Sequence, residues 1–68
     1  MINAVLTWFP VGRKEVNLKT TLPALPSVGD SFSTGDENVP TMWVRHLGWE
    51  PDGDGGWLVE VVLGEPAR

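Results

Sequence analysis

Proline and glycine punctuate this chain so densely that almost no window is long enough for a helix. Six prolines and eight glycines are spread through 68 residues. Proline removes a helical hydrogen bond and clashes with the preceding turn, and glycine is entropically costly inside a helix. No stretch shows an apolar repeat at helical spacing. Between the breaks lie short segments rich in β-branched and aromatic residues, and these predict strands.

Residues 2–9, INAVLTWF, carry apolar side chains at both parities, so this strand should be covered on both faces. PVGR follows as a turn, in which Gly12 can take a positive φ. KEVNLKTTL then alternates, with Val16 and Leu18 on one face and Glu15, Asn17 and Lys19 on the other. Pro23 and Pro26 exclude PALPSVGD from the middle of a sheet. It reads as an extended connection that turns at Gly29-Asp30 into a short strand, SFS. TGDENVP is a polar, exposed loop. In TMWVRHLGWE the apolar parity breaks: Met42 and Val44 share one face, Leu47 and Trp49 the other. A bulge near Arg45-His46 would restore one buried face. In WLVEVVLGE, Trp57, Val59, Val61 and Leu63 share a face and Glu60 marks the wet one.

The expected fold is therefore all-β, a single domain over residues 1–68. It is a five-stranded antiparallel sheet, bent into a partly open SH3-like or OB-like barrel to reduce its exposed edges. The pattern allows one helical turn within residues 20–28. Strand order does not follow from pattern. A chain this short buries only about 60% of its unfolded surface, so a hidden substrate cavity is hard to fit beside the core. With no cysteine, disulfides and thiolate metal sites are excluded, and the fold relies on packing, with four tryptophans as the expected anchors, or on a partner. Absence of cysteine suits the cytoplasm. The N-terminus does not read as a signal peptide, and no apolar run approaches the roughly 20 residues of a membrane span. Beginning at Met1 and filling one domain, the chain reads as a complete small gene product.

The net charge of −4 is unevenly placed. Residues 1–29 hold Arg13, Lys14 and Lys19 against Glu15, a balance of +2. Residues 30–68 hold two arginines against eight carboxylates, a balance of −6. Phosphate backbones repel such a protein, which disfavours direct nucleic-acid binding.

WEPDGDGGW, Trp49 to Trp57, is the most distinctive stretch. Asp-Gly occurs in it twice, and each copy is a hairpin signal. A helix–loop–helix calcium loop needs Asp or Asn at position five, Gly at six and Glu at twelve. Counting from Asp52, those positions hold Gly56, Trp57 and Leu63. The stretch reads as a mobile acidic hairpin tip, and no metal or cofactor is expected. Nor is catalysis. The one histidine, His46, sits on a strand without a nucleophile motif, and a surface role is the ordinary reading. Glu50 and Asp52 could pair as glycosidases require, but a solvated loop accounts for them.

Trp8 is expected in the core. Trp49 and Trp57 would face each other if the hairpin pairs symmetrically, as a cross-strand aromatic pair. Trp43, with parity opposite to Met42 and Val44, is the best candidate for an exposed indole, and tryptophan is enriched at binding hot spots.

The segments LPALPSVGDSF, TMWVRHLGWE and WLVEVVLGE resemble small SH3-like barrel proteins of bacteria and their phages, with Val28, Gly29 and Asp30 carrying the likeness. That resemblance implies a barrel and leaves function open among virion connectors, nucleic-acid readers and other small proteins. In size and acidity, though not in motif, the chain is similar to phage-encoded anti-CRISPR inhibitors.

The expected function is a non-catalytic protein-binding module, a small acidic inhibitor that occludes a basic surface of a nucleic-acid-handling complex, as a nucleic-acid mimic would. Its partner-binding residues would be Asp36, Glu37, Trp43, Glu50, Asp52, Asp54 and Trp57. The alternative is a structural or assembly module of a phage virion or homo-oligomer.

Overall fold

The computed structural model describes residues 1–10, 12–35 and 37–64. Five strands form one curled sheet: β1 (Ile2–Trp8), β2 (Val16–Leu22), β3 (Ser31–Phe32), β4 (Met42–Pro51) and β5 (Trp57–Gly64). Their order is β2-β1-β5-β4-β3. The architecture is all-β, a half-barrel, and no helix forms among the described residues. Residues 20–22 complete β2, and the chain then bends through 23–30, so no helical turn occurs there. Among the described residues no helix is long and apolar enough to cross a membrane.

One expectation changes. The sheet is mixed, because β1 pairs with β5 in parallel, from Ala4↔Val59 to Thr7↔Val62. The other ladders are antiparallel. The reason is topological. Five strands in up-and-down succession leave the first and last running the same way, so curling the meander to join them makes one parallel pair.

The register places Ala4, Leu6 and Trp8 on the same face as Val59, Val61 and Leu63. The expected irregularity in β4 is present: Val44 pairs with Leu63 and His46 with Val62, leaving Arg45 as the extra residue. This shift returns Leu47 to the face of Met42 and Val44, and the bulge also bends the strand. Leu6, Met42, Val44, Val59 and Val61 form the fully buried centre, with Phe32 and Val39 packed against it. Val39 was hidden from pattern reading inside the polar TGDENVP loop.

β1 is buried from Ala4 to Trp8 on both parities, as its composition predicts. On the convex face Thr7 is buried, and its hydroxyl donates to Asn17 Oδ1 across the β1–β2 pair at 2.8 Å. The 23–30 connection ends in a turn. Asp30 N donates to the Ser27 carbonyl, and Ser27 N donates to Asp30 Oδ2. Gly29 supplies the positive φ of 98° that this turn needs. Gly29 N and the Asp30 carbonyl then bond to Val44, which docks β3 on β4.

The barrel does not close. β3 is two residues long and cannot cover the seven of β2. Leu18, directly opposite the buried Leu6, is therefore 43% exposed, whereas Leu6 is 2% exposed. Replacing Leu6 by Ala should lower the unfolding free energy by about 2–5 kcal/mol. The same change at Leu18 should cost about 1 kcal/mol or less. Urea unfolding of both variants checks this, and equal losses would mean that the seam is shut over Leu18.

Candidate functional site

The tip half of the β4–β5 hairpin carries four of the seven expected partner-binding residues: Glu50, Asp52, Asp54 and Trp57. Local chemistry shapes its tip. Asp52 N donates to the Gly56 carbonyl at 3.1 Å, and Asp52 Oδ1 accepts from Asp54 N at 2.8 Å. Gly53 and Gly55 hold φ values of 87° and 89°, a region glycine enters without steric cost. Both Asp-Gly signals are thus used in one five-residue loop centred on Asp54.

That centre corrects the expected tryptophan pairing. The hairpin pairs Pro51 with Trp57 and Trp49 with Val59, so the two indoles are diagonal rather than opposed. Diagonal neighbours on one face lie roughly 7–8 Å apart. The offset has a chemical reason. The 52:56 bond leaves the next pair, 51:57, at a non-hydrogen-bonded position of the ladder, which is where a proline, lacking an N–H, belongs.

A second correction concerns burial. Trp49 is 59% and Trp57 63% exposed, more than Trp43 at 45%. Both share the concave face with the core, by register: Trp49 is directly opposite the buried Val59, and Trp57 lies one same-face pair further out, opposite Pro51. Trp49, expected to face Trp57 across the sheet, is exposed like Trp57 on that face. On the convex side Glu50 opposes Leu58. Asp52 and Asp54 border a depression of about 150 Å³ with Asn3, Lys19 and the buried Leu58.

Two of the remaining three expected residues lie elsewhere. Asp36 falls outside the described residues. Glu37 is exposed in the β3–β4 loop. Trp43 begins β4 on the convex face, between Ser31 of β3 and Gly64 of β5. A Cβ on Gly64 would run into the Arg45 side chain, which lies across that glycine. From Met42 to Pro51 the strand spans about 30 Å, so Glu37 and Trp43 stand at the opposite end of β4 from the hairpin tip. The fold divides the expected site into two.

His46 is exposed on the convex face, opposite Val62. Among the described residues no three of His, Cys, Asp and Glu group as a metal ion would require. The surface carries an open concavity of about 600 Å³. It is a groove in the open seam, on the other side of the half-barrel from the acidic tip.

Comparison with protein-family models, with curated proteins and with solved structures finds no match.

Replacing Trp49 or Trp57 by Ala should cost less than about 1 kcal/mol, against about 3–5 kcal/mol for Trp8→Ala. Gly55→Ala should cost about 1–2 kcal/mol, all of it from the positive φ, because open space surrounds that glycine. Urea titrations of the four variants, with acrylamide quenching of single-tryptophan forms, test both statements. Large losses at Trp49 and Trp57 would place those rings in the core.

Proposed function

We propose that this protein is a non-catalytic binding module whose β4–β5 hairpin docks on a basic protein surface and blocks it. In this reading it is a small acidic inhibitor of a nucleic-acid-handling complex. The observation that carries the reading is the joint exposure of Trp49 and Trp57 on a hairpin whose tip bears Glu50, Asp52 and Asp54. Two large indoles held in water gain free energy when a partner buries them, at about 25 cal/mol per Å² of apolar surface. Carboxylates beside them add little affinity once screened, but they steer the encounter toward positive charge and repel competing acidic partners. The tip is stiffened by its own hydrogen bonds, which lowers the entropy lost on docking. Glu37 and Trp43, at the other end of β4, are not part of this contact.

The alternative, an assembly module, draws on the unpaired edge of β2. Mass in solution separates the two: a ring or stable oligomer supports assembly, and a monomer supports the binding module.

The test is affinity capture from a bacterial lysate with tagged protein, eluted in steps of rising salt. A basic nucleic-acid-processing complex should be retained. Exchanging Glu50, Asp52 and Asp54 for Gln, Asn and Asn keeps the Asp52 acceptor geometry and should move elution to lower salt. Trp57→Ala should weaken binding by about tenfold or more, the scale of an interface hot spot. Retention unchanged by both variants would show that the hairpin is not the contact.

A further inference from the structure

We propose that the open seam of the half-barrel is a second binding site, which accepts an extended, carboxylate-bearing segment of a partner protein as an added strand along β2. This does not rest on the hairpin reading, since the two sites share no residue.

The backbone comes first. β2 offers seven residues of strand and, among the described residues, pairs only with β1, so no described strand lies beside its outer edge. Edge strands are commonly blunted by charged side chains (Lys above all), proline, a bulge or a covering element; of these β2 carries one, Lys19, at mid-strand on the convex face. β2 contains no proline, and its ladder with β1 is regular from Ile2↔Leu22 to Trp8↔Val16. The strand across the seam, β3, is too short to cover it.

Side-chain sites follow the same line. Val16, Leu18, Thr20 and Leu22 alternate along the concave face of β2. Val16 and Leu18 form one wall of the groove of about 600 Å³, with Val39 and Pro40 opposite. Leu18, Thr20 and Leu22 form one wall of a second depression of about 140 Å³, with Phe32 opposite. The two concavities share Leu18 and Thr34, so they follow one another along the strand. A peptide added to an edge gains affinity from its backbone and specificity from every second side chain, and this edge supplies both.

Charge selects the occupant. Among the described residues, Arg13 is the charged side chain of the larger groove. The first 29 residues, which hold both β1 and β2, carry +2 within a protein of net −4. Lys19 at mid-strand already borders Asp52 and Asp54, so Arg13 is the cation placed to receive a carboxylate. A second copy of the chain fits less well. Symmetric antiparallel pairing about the middle of β2 would set Lys19 against Lys19 and crowd two sets of Asp52 and Asp54 beside them, and like charges directly opposite are destabilising.

The experiment selects random octapeptides displayed on phage against the full-length protein, then titrates the chosen synthetic peptide into isotope-labelled protein. Peptides with apolar residues at alternate positions and at least one carboxylate should be enriched. Amide shifts and slowed hydrogen exchange should map to Arg13 and to Val16–Leu22. Arg13→Gln should weaken binding about three- to fivefold, as for an exposed ion pair. Leu18→Lys should weaken it tenfold or more, and N-methylation of alternate peptide nitrogens should abolish it. No enrichment, or shifts confined to the hairpin around Trp49 and Trp57, would overturn the proposal. So would β2-mediated self-association that the peptide does not compete away.

Discussion

The parallel pairing of β1 with β5 is the contact on which the rest of the structure depends. Without it the chain is two pieces, the β1–β2 hairpin and the β3–β4–β5 meander, and neither has a face large enough to exclude water alone. The pairing sets Ala4 against Val59 and Leu6 against Val61, residues more than fifty positions apart in the chain. Closing so long a loop is entropically costly, and contacts of this range slow folding. The offset comes from apolar burial, since Leu6, Val59 and Val61 lie at the fully buried centre. The strand ends are then fixed: the 9–15 turn and the 33–41 loop fall at one end of the sheet, the 23–30 connection and the acidic tip at the other.

The same curl explains why the sheet is not a closed barrel. Curvature is concentrated in β4, where the Arg45 bulge bends the longest strand around the core. On the far side, the proline-bearing connection and its Ser27–Asp30 turn deliver the chain to Val44 and not to β2. β3 is consumed in docking on β4, so the seam stays open beside Leu18. A small all-β protein ordinarily hides such an edge. Here it is one wall of a concavity of about 600 Å³, to which Trp8 and the loops at that end also contribute.

The molecule therefore presents two surfaces of different chemistry. The hairpin is acidic and aromatic, with its polar tip held by Asp52 and the indoles of Trp49 and Trp57 exposed on its concave face. The seam is apolar, backbone-rich and edged by Arg13. In the two readings proposed above, one surface holds a basic patch and the other an extended acidic segment. Tethering two such contacts on one rigid sheet raises the effective concentration of the second once the first has formed.

Strand positions, the turns at Gly12 and Gly29, the bulge at Arg45-His46 and the exposure of Trp43 are legible in the sequence. Each follows from a local rule: which residues accept positive φ, which lack an N–H, and which side of a pleated strand must be apolar. The candidate site was only half legible for the same reason. Acidic tip residues announce themselves by composition, but parity assigns Trp49 and Trp57 to the core face without saying where the core ends. The tertiary structure alone decided the parallel β1–β5 pair, the hairpin centre at Asp54, the separation of Glu37 and Trp43 from the tip, and the open seam along β2. Those outcomes turn on which distant strands meet and how far their ladders run, and that is settled by the summed burial of residues far apart in the chain.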